Sequence, residues 1–311
     1  MGKQWSEEKA KEWYEQRPWL VGCNFLPSTA VNSTEMWQEA TFDEATIDRE
    51  LGWAAGLGFN SIRVFVQYLV WEADPAGQKT RMERFLEIAD RHGITVMFIL
   101  FDDCFIPEPY LGKQAEPVPG VHNSQWTSSP GETRKKENCR PNLEKYVKDV
   151  VAHFGQDKRV VVWDLYNEAK PESRPLLEKV FEWARGVHPI QPLTSCWQAS
   201  DLWDVASYHD YTNVPPEKFA EIAQSPRPTL CTEWMARTMG SRFELQLPYF
   251  RKYKIGCYSW GLVAGRTQTY FPWGSLKGAP EPKVWFHDVL RKDGTPFDPK
   301  EIEVIKKICR K

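Results

Sequence analysis

The sequence has no run of about 18 apolar residues, so no segment reads as a membrane-spanning helix. It has no excess of positive charge: 40 basic residues face 42 acidic ones, the formal net charge is -2, and no basic stripe stands out. Nucleic acid is therefore not an expected partner, and neither is a membrane. There is no C-x-x-C. The seven cysteines (Cys23, Cys104, Cys139, Cys196, Cys231, Cys257 and Cys309) are odd in number and widely spaced. A disulfide framework is not expected, and free thiols fit a reducing compartment. The first seventeen residues are highly charged and lack the apolar stretch of a signal peptide. A cytoplasmic protein is expected, with a secreted one whose signal has been removed as the alternative. No G-x-G-x-x-G follows the first apolar run, so no cofactor is expected. The six histidines form no H-x-H or H-E-x-x-H, so no metal is expected, and no G-x-S-x-G marks a serine nucleophile.

Aromatic residues are abundant: 15 Trp, 11 Tyr and 16 Phe. A core absorbs phenylalanine easily, but each buried indole N–H needs a partner, so some of the tryptophans should line a wet surface.

Short apolar runs alternate with amphipathic stretches along the whole chain. The runs are 20–25, 60–66, 94–101, 160–166, 193–197, 205–208, 229–231 and 255–260. Thr41-Phe42-Asp43-Glu44 has capping-box spacing before a helix that ends near Gly56 and Gly58. Met82, Phe85, Leu86 and Ala89 share one helical face ending at Gly93, the residue expected just past a helix end. Leu143 to Phe154 and Leu176 to Ala184 repeat the pattern, which weakens after the fifth and sixth runs. Eight runs without internal alternation are strands buried on both faces, and eight such β/α units predict an α/β fold, a single (β/α)8 TIM barrel. It should be one domain over 1–311, with a short segment 1–19 before the first strand. One connection is far too long for a turn. Residues 103–139 hold Pro107, Pro109, Pro117, Pro119 and Pro130 with His122, Asn123 and Trp126. Following the third strand, this loop belongs on the C-terminal face, where sites of this fold sit, and should fold over it like a lid.

Two carboxylates end strands that face each other across such a barrel. The fourth run leads directly into Asn167-Glu168 and the seventh leads to Glu233. Two carboxylates flanking one bond are the minimum for glycoside hydrolysis, one protonated to serve the leaving group and one ionised to attack. Two of 42 acidic residues can also fall at strand ends as ordinary surface charge.

With these residues in place, the chain resembles clan A of the glycoside hydrolases, in particular glycoside hydrolase family 5 of the cellulase, β-mannanase and β-xylanase-like type. The resemblance spans essentially the whole chain. It implies that Glu168 is the acid/base and Glu233 the nucleophile, with Asn167 on the sugar 2-OH. It also implies that Arg63 of SIRVF steadies the nucleophile, that His209 and Tyr211 stand beside it, and that Trp260 floors the sugar site. A histidine usual near the end of strand three is missing, and Asp102 and Asp103 stand there instead. Asn24, Trp37, Asp102, Trp126 and Trp197 are further candidates for contact with a carbohydrate substrate. Arg266, Gln268 and Trp273 could join them or be loop structure. The expected function is a retaining β-glycoside hydrolase. A transglycosidase with the same glutamates and a catalytically silent carbohydrate-binding barrel are the alternatives, and oligomeric state is left open. A retaining pair needs its carboxyl groups roughly 5 Å apart. Glu168 is expected to have a raised pKa because ionised Glu233 lies close.

Overall fold

The computed structural model describes residues 3–310. The apolar runs form eight strands: Val21–Asn24 (β1), Ser61–Phe65 (β2), Thr95–Ile99 (β3), Val160–Asp164 (β4), Leu193–Thr194 (β5), Ala206–Asp210 (β6), Thr229–Trp234 (β7) and Gly256–Ser259 (β8). All pair in parallel in the order β5-β4-β3-β2-β1-β8-β7-β6. The first strand thus lies between the second and the last, and the sheet curls into a nearly closed (β/α)8 barrel. Every residue of β2, β4 and β7 is buried, as strands covered on both faces must be. Between β5 and β6 the ladder is replaced by single bonds. Asp204 N donates to Leu193 O (2.7 Å), Leu193 N to Asp204 Oδ2 (2.9 Å) and Thr194 Oγ1 to Val205 O (2.8 Å).

Helices Glu44–Leu57, Pro75–Arg91, Arg140–Phe154, Arg174–Gly186, Phe243–Lys252 and Pro299–Cys309 wrap the barrel. Each buries the face its apolar spacing marks, as Leu176, Leu177, Val180, Phe181 and Ala184 do in the fourth of them. No helix joins β5 to β6, and only the short Pro216–Ile222 follows β6. The capping box expected at Thr41 is a misplacement. Thr41 ends a 3-10 turn, and Asp43 caps the helix by accepting from Thr46 N at 3.0 Å. That helix stops at Gly58, whose φ of +94° is left-handed and suits glycine.

The segment before β1 carries its own helix, Glu7–Glu15, across the N-terminal mouth of the barrel. Trp13 and Tyr14 pack there on Leu20, Met97, Val162, Leu230 and Tyr258. Among the described residues no helix is long and apolar enough to cross a membrane, and all seven cysteines are free.

Candidate active site

Side chains alternate along a strand, so Ser61, Arg63 and Phe65 of β2 share one face. Ser61 meets the Tyr258 hydroxyl in the lower barrel, Arg63 lies above it, and Phe65 reaches the C-terminal mouth. Arg63 is fully buried and spends all five N–H groups. Nε and Nη2 donate to Asp164 Oδ2 (2.9 and 2.7 Å), and Nη2 also donates to Asn167 Oδ1 (2.7 Å). Nη1 donates to Asn24 Oδ1 and to Glu233 Oε1, both at 2.8 Å. Burial alone would push the guanidinium pKa down, but Asp164 and Glu233 beside it raise it, so Arg63 is a fixed positive charge under the site. The Tyr211 hydroxyl donates to the other oxygen of Glu233 at 2.6 Å.

Glu168 faces Glu233 from the end of β4. Its φ of +46° is left-handed, a strained conformation for a residue with a side chain that costs about 1–3 kcal/mol and clusters at functional sites. A carboxylate oxygen of Glu168, one of Glu233 and a ring nitrogen of His209 all lie within 4.8 Å of one another. His209 Nδ1 is 2.7 Å from Glu168 Oε1 and 3.5 Å from Glu233 Oε2. Burial pushes the His209 pKa down to about 4, so the ring is neutral and its Nδ1–H donates to Glu168. Cys104 Sγ donates to Glu168 Oε2 at 3.2 Å.

Burial raises the pKa of both glutamates. For Glu168 burial, not the charge of Glu233, is the main cause, which corrects the sequence-based expectation. The two differ in their partners. Glu233 holds a guanidinium and a phenol, the set that favours an anion, while Glu168 holds only a neutral imidazole N–H and a thiol. Carboxylates and an imidazole are also donors a divalent cation accepts. Here Arg63 is in contact with Glu233, and the Nδ1 of His209 is taken by Glu168, an arrangement suited to moving protons rather than holding a cation.

Above the pair opens a cavity of about 500 Å³ lined mainly by aromatic side chains. Phe65, Trp126 and Trp260 form one wall, with Trp126 edge-on to Phe65 at 4.8 Å and Trp260 5.9 Å from each. Tyr211 and Trp273 meet edge to face at 4.9 Å on another side. Trp197 stands at the rim, 54% exposed, beside His209. Asn167, Glu168, His209, Tyr211, Glu233, Trp126, Trp197 and Trp260 all line this cavity, as do His122 and Asn123 of the long loop.

Four candidates do not face it. Trp37 is fully buried in the core, its indole N–H on Phe65 O at 2.6 Å and its ring against Phe42 and Phe85, so it touches no ligand. Asn24 and Arg63 lie beneath the site. Asp102 lies behind it, accepting from Trp126 Nε1 (2.7 Å), Asn167 Nδ2 (3.0 Å) and Cys104 N (3.1 Å). Arg63 and Asp102 position groups that line the cavity, and Asn24 steadies Arg63. Arg266 and Gln268 are loop structure: Arg266 pairs with Glu116, and Gln268 bonds Gly120 N and Val118 O. Sequence reasoning missed Phe65, Cys104 and Phe105 as lining residues. The strand alternation through Arg63 points to Phe65, but nothing in the spacing marks the other two.

The long loop crosses the C-terminal face and locks onto the loop after β8. Asn123 N donates to Thr267 O (2.8 Å), Gly278 N to Pro119 O (2.7 Å) and His122 N to Ser275 Oγ (3.3 Å). His122 Nδ1 sits 2.8 Å from Phe271 O. Asn32, from the loop after β1, joins them through Gln125 O and Gln114 Oε1. Three loops are thus tied together beside the cavity, on the side of Trp126 and Trp260.

No protein-family model matches the chain, and no curated protein is similar to it in sequence. Solved structures are similar in fold. A GH5_18 protein from Bifidobacterium longum subsp. longum, in complex with Manβ1-4GlcNAc, superposes with a TM-score of 0.63 at 11% identity, over 94% of this chain and 78% of that one. The exo-β-1,4-mannosidase of Opitutaceae bacterium strain TAV5 gives 0.63 at 17% identity, over 94% of this chain and 59% of that one. A β-1,4-mannanase from the sea hare Aplysia kurodai gives 0.57 at 14% identity, over 78% and 88%.

Proposed function

We propose that the chain is a retaining β-glycoside hydrolase acting on the ends of glycan chains. The observation that carries this reading is the pair Glu168 and Glu233, with carboxylate oxygens within 4.8 Å, one on a buried guanidinium and one not, under an aromatic cavity. Retaining enzymes hold their carboxyl groups about 5–5.5 Å apart, and inverting ones need about 6.5–9.5 Å to admit a water.

Glu233, kept anionic by Arg63 and Tyr211, attacks the anomeric carbon. The bond to the leaving oxygen breaks as Glu168 gives that oxygen its proton. Water then replaces the nucleophile from the opposite face, losing its proton to Glu168, and both residues return to their starting states. Asn167 binds the sugar 2-OH, as the resemblance implies. The aromatic walls suit the apolar faces of sugar rings. The three tied loops stand over the Trp126 side of the cavity, which supports attack at a terminus. The fold neighbours include an exo-β-1,4-mannosidase and a protein holding Manβ1-4GlcNAc, so β-mannosides are the first substrates to try.

The test is incubation with aryl β-glycosides and with β-1,4-manno- and gluco-oligosaccharides, following products by proton NMR and chromatography. The β-anomer of a single sugar should appear first. An α-anomer first would remove the nucleophile role, and mixed long fragments would remove the end-acting mode. Sugar transfer to a second sugar would identify a transglycosidase. Binding without turnover would mean a silent barrel.

A further inference from the structure

We propose that Cys104 is a positioning residue for Glu168, its thiol aiming the acid/base carboxyl toward the leaving oxygen while binding it only weakly. The inference rests on the glycosidase reading above. Sγ lies 3.2 Å from Glu168 Oε2 and 3.5 Å from Asn167 Nδ2, and the Cys104 backbone N–H is held by Asp102 Oδ1 at 3.1 Å. The thiol therefore closes a chain of contacts: Arg63 donates to Asn167, Asn167 to Cys104, and Cys104 to Glu168. The same guanidinium holds Glu233, so one network fixes both carboxyl groups relative to each other.

An acid that must give up a proton and take it back needs a fixed direction but no strong preference for the anion. A stronger donor at this place would fix the direction and hold the carboxylate ionised. A thiol is a weak donor, so it supplies the direction while stabilising the anion only modestly. Glu168 depends on such contacts because its left-handed backbone lies outside the strand ladder. The other titratable or charged groups around it are His209 on β6, Tyr211 after it, Glu233 on β7, Arg63 on β2 and Asp102 after β3. Of these only His209 donates to Glu168, and it does so at Oε1. A change at Cys104 acts on Oε2.

The experiment compares the wild type with Cys104→Ala and Cys104→Ser in two measurements. One is the pH profile of kcat/KM on an aryl β-glycoside whose leaving group needs protonation. The other is the titration of the Glu168 carboxyl by carbon-13 NMR of glutamate-labelled protein, assigned with Glu168→Gln. A donor to the carboxylate stabilises the ionised form. Cys104→Ala should therefore raise the Glu168 midpoint and the alkaline limb together, by roughly half a pH unit to one unit. Cys104→Ser, with a stronger donor, should move both below the wild type. A midpoint unchanged in both variants overturns the proposal, whatever happens to turnover. The NMR titration reads Glu168 without catalysis, so a shifted midpoint in a protein that hydrolyses nothing would sink the glycosidase reading and leave only the hold of Cys104 on the Glu168 carboxyl standing.

Discussion

The hydroxyl of Tyr211 stands 2.6 Å from Glu233 Oε2, opposite the guanidinium of Arg63 on Oε1 at 2.8 Å. Between them the two groups fix the Glu233 carboxylate and stabilise its charge. A hydrogen bond to a charged group contributes about 1.5–3 kcal/mol. Tyr211→Phe should lower kcat/KM by roughly ten- to a hundredfold, with circular dichroism and melting temperature little changed. Wild-type kinetics in this variant would mean that Arg63 alone sets the nucleophile.

The two glutamates can be told apart by rescue. Glu233→Ala should lose activity on every substrate, and azide entering the vacated side should yield an α-glycosyl azide. Glu168→Ala should keep the first step on substrates with good leaving groups and fail on natural glycosides. Azide then attacks the covalent intermediate from the opposite face and should give the β-glycosyl azide. Reversed stereochemistry in the two products would swap the roles.

Acid should destabilise the protein in part through His122. Burial pushes its pKa down to about 4 from the ordinary 6.5. As pH falls from 6.5 towards 4, the unfolded chain takes up a proton that the native ring refuses, so stability is lost through that window. The contribution reaches about 3 kcal/mol at most. Urea unfolding at pH 7, 5.5 and 4.5 should show a shallower fall for His122→Gln than for the wild type. Parallel curves would remove His122 from the acid response.

Two tryptophans should separate stability from binding. Trp37→Phe removes a core indole and its bond to Phe65 O, at a cost of roughly 1–3 kcal/mol, with KM unchanged. Trp126→Phe changes the cavity wall and frees Asp102 Oδ2, and should raise KM. Equal effects on KM from both would place Trp37 in contact with the ligand after all.

The strand ends were legible because long apolar runs leave little freedom in where β4 and β7 stop, and Glu168 and Glu233 follow from those ends. Trp37 was not legible. It follows β1 in the chain, as a site residue would, but the short helix Ser33–Trp37 turns its ring inward onto Phe42 and Phe85, a choice made by distant packing. Thr41 and Asp43 are both good caps two residues apart, and the 3-10 turn Glu39–Thr41 decides between them. Asp102 showed as a polar group at a strand end, but which way it faces depends on Trp126, twenty-four residues on. A single cysteine such as Cys104 has no periodicity to read.

The seam between β5 and β6 bears on how the molecule behaves when warmed. β6 pairs with β7 along its whole length on one side, with one irregularity between Tyr208 and His209, and has only scattered bonds towards the two residues of β5 on the other. Amide protons on that flank should exchange with solvent before those of β2 and β3, since local opening starts where the fewest bonds must break together. The strand that loosens first also carries His209, the bridge between the two carboxyl groups. Heating should therefore part Glu168 from Glu233 while most of the barrel is still folded, so that hydrolysis should fade at temperatures where far-ultraviolet dichroism still reports a native protein.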